Sequence, residues 1–165
     1  MTKFSALIEW RNGGPDFARG HYGRGHRWSF DGGAVIPASA SPHSVPRRWV
    51  DEAAVDPEEA LVAAASSCHM LFFLNLASKA GFVVERYRDE AEGLMGPDAQ
   101  GRIAMTRITL RPEITFAGRR PDADELAALH HAAHERCYVA SSLRAEIIVE
   151  TEAGGSIARS APVDS

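Results

Sequence analysis

Cys68 and Cys137 are the only thiols in the chain, and each stands in a helix-like setting. Cys68 follows the small-residue run Ala63-Ala64-Ala65-Ser66-Ser67 and leads into His69-Met70. Cys137 closes an acidic, histidine-rich stretch and precedes Tyr138-Val139-Ala140-Ser141-Ser142-Leu143. A lone thiol in an apolar helix is inert, whereas two thiols that meet can run a redox cycle. That chemistry starts from a thiolate. An ordinary cysteine, with a pKa of about 8.5, is only about a tenth ionised or less at neutral pH. A guanidinium beside the sulfur favours the anion where burial opposes it, and Arg keeps its charge in a desolvated site. A carboxylate would hold that Arg in place. Attack on an O–O bond leaves a sulfenic acid, which a second thiol condenses to a disulfide before it over-oxidises.

Other chemistries fit less well. His69 follows Cys68 directly, so on a helix it points about 100° away and is a poor base for a Cys-His hydrolase; it reads as a core residue or as one that supports the site from behind. His130 and His134 share a helix face, with Cys137 three residues on, as metal ligands can. No second ligand cluster of recognised spacing accompanies them, so a polar, solvated helix face is the expectation for His130, His131 and His134. The glycines between residues 12 and 33 do not form a phosphate-binding fingerprint.

The bulk composition bounds the partners. With 45% apolar and 24% charged residues the chain reads as an ordinary soluble globular protein. A net charge of -4 without a dense Lys/Arg run speaks against nucleic acid and anionic membranes. The opening Met1-Thr2-Lys3-Phe4-Ser5-Ala6 has no apolar leader core, so the cytoplasm is the expected compartment. There, a bond between two cysteines is transient rather than a permanent staple. Ala60 to Ser78 carries no charge and approaches membrane-spanning length. Ser66, Ser67, Cys68, His69 and Asn75 interrupt it, and it reads as a buried central helix.

The elements that must position the thiols follow from periodicity. Lys3 to Trp10 alternates as a strand, and Arg27 to Phe30, Asp31-Gly32-Gly33 and Ala34 to Ala38 read as strand, turn, strand. Residues 37–55, with Pro37, Pro42 and Pro46, form a long loop of the kind that carries function. Asp56, Pro57 and Glu59 announce a helix of about 24 residues that ends at Gly81 and should be buried on most faces. Phe82 to Glu92 and Arg102 to Phe116 read as strands, with Pro112 marking an edge or bulge. Asp122 with Glu125 caps a second helix to Arg136, striped by Leu126, Leu129 and Ala133. A last strand runs from Arg144 to Thr151. The grouping of strands on either side of a helix argues for an α+β fold with a mostly antiparallel sheet. One domain over residues 1–152 and a disordered tail, 153–165, complete the expectation.

At these residues the chain resembles the OsmC/Ohr family, the osmotically inducible protein C and organic hydroperoxide resistance proteins. The matching pieces are Asp56-Pro57-Glu58-Glu59, the small-residue run ending in Cys68, Gly81, and Cys137 with Ser141-Ser142-Leu143-Arg144-Ala145-Glu146-Ile147. They span roughly residues 48 to 150. Arg48-Trp49 ahead of the helix places it nearer the OsmC-like branch. The resemblance implies an OsmC-like fold, with mostly antiparallel sheets packed around a long central helix, in an intertwined homodimer with its sites at the interface. It also implies a thiol-dependent peroxidase acting on organic hydroperoxides, with no metal or bound cofactor. Cys68 would be peroxidatic and Cys137 resolving. Glu58 would be the family glutamate and Arg48 the arginine, with Arg24 of the early hairpin as its rival. The reductant would be a small dithiol or a lipoylated protein. At the second cysteine the family often has Cys-Pro-Val-Ser; here the residues are Cys137-Tyr138-Val139-Ala140. The alternatives are a non-catalytic relative that binds an apolar metabolite or senses oxidants, and a Cys-dependent hydrolase.

Helix geometry adds a constraint. Glu58 and Cys68 lie ten residues apart, about 15 Å along a straight helix. Either the helix breaks, or Glu58 serves the cysteine of a partner chain, or it acts through intervening groups.

Overall fold

The computed structural model describes residues 1–14 and 16–151, and the backbone of 156–159. The chain separates into two compact units, Met1–Ala60 and Leu61–Ser165.

In the first unit, β1 (Ala6–Glu9), β2 (His26–Phe30) and β3 (Val35–Ala38) form an antiparallel meander. The β2–β3 turn needs a left-handed residue, which Gly33 supplies at φ +87°. The expected first strand is shorter than its alternation suggested, and Leu7 and Ile8 are both exposed. The proline-rich loop is tied down. Ser39 N–H donates to the Val55 carbonyl at 3.0 Å, and Ser39 Oγ accepts from Asp51 N–H at 3.0 Å. A short 3-10 turn, Arg47–Trp49, lies within it.

Helix α1 (Pro57–Lys79) starts at the end of this unit and runs unbroken through the second. Its start is a capping box: Asp56 Oδ1 accepts from Glu59 N–H at 2.7 Å, and Glu59 Oε2 accepts from Asp56 N–H at 3.2 Å. It stops at Gly81, φ +81°, where Phe82 N–H reaches back to the Ala77 carbonyl at 3.0 Å. The strands β4 (Val83–Asp89), β5 (Glu92–Pro97), β6 (Ile103–Leu110) and β7 (Pro112–Ala117) follow. Then come α2 (Ala123–Arg136), α3 (Tyr138–Ser142), β8 (Glu146–Glu150) and β9 (Ser156–Arg159). β4 pairs with β7, and the larger sheet has the order β5-β6-β8-β9. Among the described strands only β6 and β8 pair in parallel, so the α+β, mostly antiparallel expectation holds.

Several elements differ from expectation. Phe82 to Glu92 is β4 plus the start of β5, whose Gly93, Gly96 and Pro97 mask its strand character. The short α3 had no cue of its own. Within the segment expected as a disordered tail, residues 156–159 form β9, antiparallel to β8; the rest of that segment lies outside the described residues.

Two apolar clusters grow on one stripe of α1, where Ala65, His69, Phe73 and Ala77 recur every fourth residue. Ala65 joins Ile108, Leu110, Ile147 and Val149 of β6 and β8. Phe73 and Ala77 join Phe82, Ile114 and Ala133. Burial on most faces was the expectation, but within this chain only that stripe is buried, and Leu71 is 60% exposed. The helix is long and apolar enough to cross a membrane, yet the second unit's core is built on it.

Gly93 shows how tightly that core closes. A Cβ there would stand 2.6 Å from Val62 Cγ2 and 2.7 Å from Met105 Sδ. The methionine can swing away; the β-branched valine cannot. Gly93→Ala is expected to lower stability by about 1–3 kcal/mol, read as a lower urea midpoint. An unchanged midpoint would show that β5 shifts freely from α1.

Candidate active site

Cys68 sits mid-way along α1, on the flank of the buried stripe, and is half-buried. Cys137 is 1% exposed. It stands at the corner where α2 ends and α3 begins, with extended backbone at φ -68°, ψ 110°. Its N–H donates to the His134 carbonyl at 3.2 Å, and its Sγ accepts from Ala140 N–H at 3.4 Å, capping α3. This corner turns the sulfur inward against α1. The two thiols, separated by 69 positions in sequence (137 minus 68), are within hydrogen-bond reach of each other.

The environment treats Cys137 as a thiol. Burial, and then its hydrogen bond to Cys68, push its pKa up to about 11. The proton therefore stays on Cys137 at neutral pH, and its S–H is offered to the Cys68 sulfur. The more accessible sulfur is the one on α1, and the hidden one waits behind it.

An aromatic rim adjoins the pair. Phe72, one turn after Cys68, meets Tyr138 edge-on, with ring centroids 5.1 Å apart at 86°. Tyr138 is 76% exposed and Leu71 60%. Sequence reasoning noted Tyr138 only as a departure from a pattern; the signal available was that it directly follows Cys137 while Phe72 is one turn on from Cys68.

The other expected site residues are not assembled into an ion pair. Glu58 is half-buried in the first turn of α1 and makes no ion pair or side-chain hydrogen bond among the described residues. Arg48 is exposed, with its guanidinium 5.6 Å from the Trp49 ring centroid. Arg24 lies over the Tyr22 ring at 3.5 Å, and its side chain donates to the Tyr22 carbonyl. Because α1 is unbroken, the option of a helix break between Glu58 and Cys68 falls away.

The histidines of α2 correct the expectation of a solvated face. His130 and His134 are each 1% exposed, and only His131 faces outward. The apolar stripe of Leu126, Leu129 and Ala133 carries positions 130 and 134 inward with it, by the same helical period. There they meet His69 of α1: His69 Nε2 lies 3.1 Å from His130 Nδ1. Burial is the main cause that lowers His69 to about 3, with His130 and His134 adding to it, and burial alone lowers His130 to about 4. Among the described residues no group of three or more His, Cys, Asp or Glu is arranged to hold a metal ion.

Residues 50–152 match a family model described as OsmC-like protein. The chain is similar to an OsmC-like protein of unknown function from Vibrio cholerae. The two are 45% identical over 92% of this chain and 99% of that one, with a TM-score of 0.90. More distant structures share the fold. One is an organic hydroperoxide resistance protein from Elizabethkingia anophelis, at 16% identity over 92% and 94% of the two chains and a TM-score of 0.66. Another, from Bacillus subtilis, has 18% identity over 90% and 97% and a TM-score of 0.61. No curated protein matches the chain.

Proposed function

This chain belongs to the OsmC-like protein family, and from that premise we propose that it is a thiol-dependent peroxidase that reduces organic hydroperoxides. One observation carries the reading. A half-buried thiol on a long helix lies within hydrogen-bond reach of a fully buried, protonated one. The names of two fold neighbours, as organic hydroperoxide resistance proteins, point to the same chemistry.

In the proposed cycle the Cys68 sulfur attacks the terminal oxygen of ROOH. An S–O bond forms, the O–O bond breaks, and RO⁻ leaves and takes up a proton as ROH. Cys68 is then a sulfenic acid, oxidised by two electrons. Cys137 attacks that sulfur, its proton goes to the departing hydroxide, and the products are the disulfide and water. An external dithiol, or a dihydrolipoyl group on a partner protein, reduces the disulfide by exchange. Cys137 is poorly nucleophilic while it holds its proton, so it does not compete for the peroxide. The apolar rim of Leu71, Phe72 and Tyr138 favours a hydroperoxide with an organic tail over hydrogen peroxide.

The reading includes a homodimer. Apolar and small residues on the exposed face of α1, among them Ala64 and Leu71, suit a second copy. Glu58 stays about 15 Å from the Cys68 of its own helix. A Glu58–Arg48 pair, or one with Arg24, that acts on Cys68 would therefore come from the other chain or act through intervening groups. The proposed setting is the cytoplasm, where a reductant keeps the cycle turning.

The test is dithiothreitol-dependent peroxide consumption, with cumene hydroperoxide compared against hydrogen peroxide and the Cys68–Cys137 disulfide sought by mass spectrometry. The expected result is turnover with kcat/KM at least about tenfold higher for cumene hydroperoxide. Purified protein that forms the disulfide but does not turn over would favour an oxidant sensor instead.

A further inference from the structure

Three buried imidazoles take no part in the cycle just described. His69 on α1 and His130 and His134 on α2 are each 1% exposed. The His69 and His130 rings lie parallel to within 4°, with centroids 5.4 Å apart and Nε2 to Nδ1 at 3.1 Å. His134 stands 6.5 Å from His69 between centroids, and Phe73 packs on His130 at 4.5 Å. Both bonded rings are neutral at neutral pH. One therefore donates an N–H and the other accepts it.

Two apolar side chains could fill this space without the desolvation that imidazoles carry. His69 Nδ1 is moreover buried without a hydrogen-bond partner among the described residues. What the imidazoles add is direction. Apolar helix faces tolerate small slips, whereas a nitrogen–nitrogen hydrogen bond weakens steeply once its angle and length depart from ideal. The bond's position is informative. His69 follows Cys68 directly on α1. His130 lies on α2, which ends at Cys137. Closing a disulfide requires the two Cβ atoms to come within about 3.5–4.5 Å. A slip of α1 by one residue would displace its sulfur by about 1.5 Å along the axis.

We propose that the His69–His130 hydrogen bond is a positioning clamp, holding α1 against α2 so that Cys68 and Cys137 meet in the geometry that closes a disulfide. This rests on the reading of the two cysteines as a redox couple. The clamp acts on the second step, in which Cys68–SOH and Cys137–SH give the disulfide and water. The first step needs only the Cys68 sulfur and the peroxide, and is insensitive to helix register.

His69→Phe and His130→Phe remove the bond. His69→Gln and His130→Asn return an amide near the lost Nε2 and Nδ1 positions. After one equivalent of cumene hydroperoxide, peroxide loss and disulfide formation are timed separately, with dimedone trapping the sulfenic acid. Peroxide loss should stay within about twofold of wild type, while disulfide closure slows about tenfold or more in the Phe variants and recovers in the Gln and Asn variants. Folded Phe variants that close at the wild-type rate would overturn the clamp. So would Gln and Asn variants as slow as the Phe variants, since side-chain bulk rather than the bond would then be at work. Should a single Phe variant fail to fold, His69→Phe/His130→Phe pairs two apolar rings in its place. Imidazole nitrogen NMR of the wild type at pH 7 should also show the N–H···N bond directly, and its absence would equally sink the proposal.

A second measurement separates this idea from the peroxidase reading. The exchange of protein dithiol and glutathione disulfide with protein disulfide and two glutathione thiols needs no peroxide. Its equilibrium constant should fall about tenfold in the Phe variants. Equal constants would overturn the clamp and leave the peroxidase reading standing. A wild type inert to peroxide but with a clamp-dependent constant would do the reverse.

Discussion

Cys68→Ser is expected to reduce dithiol-dependent turnover of cumene hydroperoxide to the uncatalysed background, a loss of roughly a thousandfold or more. A serine hydroxyl cannot act as the two-electron donor that a sulfur anion is, and no other thiol in the chain is accessible, since Cys137 is buried and holds its proton. The companion variant separates the roles. Cys137→Ser should consume one equivalent of peroxide at close to the wild-type rate and then stall as a sulfenic acid. With dithiothreitol present, the small dithiol reaches Cys68 in place of Cys137 and turnover persists. Without it, further peroxide carries Cys68 to the sulfinic acid, an addition of 32 Da in total for two oxygens, about 16 Da each, on the oxidation ladder. Mass spectrometry reads these states. Full activity in folded Cys68→Ser would remove the basis of the proposed chemistry; a dead Cys137→Ser would instead mean that the second sulfur is needed for attack.

Mild acid should destabilise the fold, and the buried histidines set the direction. The folded-state values of His69, about 3, and His130, about 4, lie below the ordinary 6.5. Protons therefore bind the unfolded chain more readily. The stability at stake is fully present above about pH 6.5 and declines as pH falls toward 4 for His130 and toward 3 for His69. Each such histidine contributes a slope of about 1.4 kcal/mol per pH unit within its window, so the pair lose on the order of 4 kcal/mol between pH 7 and 5. Among the described residues the groups acting on His69 are the two imidazoles of α2, and no carboxylate offsets either shift. Tyr87 on β4, beyond Phe73, is kept protonated mainly by burial. The surface carboxylates Asp98 and Glu125, held low chiefly by Arg102 and Arg119, start to protonate only at lower pH. The check is a pair of urea titrations at pH 7 and pH 5, with His69→Phe/His130→Phe as control. The wild-type midpoint should drop sharply and that of the control, which keeps only His134 of the three buried imidazoles, should drop less. A wild-type midpoint that holds at pH 5 would mean that solvent reaches these rings.

Local signals in the chain were enough for the scaffold. Asp56 with Glu59, Asp122 with Glu125, and Gly81 are short-range devices whose hydrogen bonds close within a few residues, so both long helices could be placed from their ends. The alternation of Ile103, Met105, Ile108 and Leu110 likewise marked β6. β5 was missed because its glycines and proline suppress strand character, and Gly93 is there for close approach to Val62 rather than for backbone preference. β9 lacked an apolar pattern and exists through its pairing with β8.

Residue types and spacing by themselves determined the chemical repertoire: two thiols, each tied to a helix, in a chain with no other nucleophile of that kind. They also determined that Glu58 and Cys68 cannot touch within one straight helix; that the helix is unbroken came from the structure. What only the tertiary structure decided is which groups meet. Sulfurs 69 positions apart, 137 minus 68, are brought near each other as free thiols because the corner at Cys137 folds back on α1, an outcome of long-range packing that no local window encodes. The same packing turned His130 and His134 from an expected surface face into buried partners of His69. Polarity alone put them outside. The helical period shared with Leu126, Leu129 and Ala133 put them inside, because a rigid helix buries a whole face or none of it.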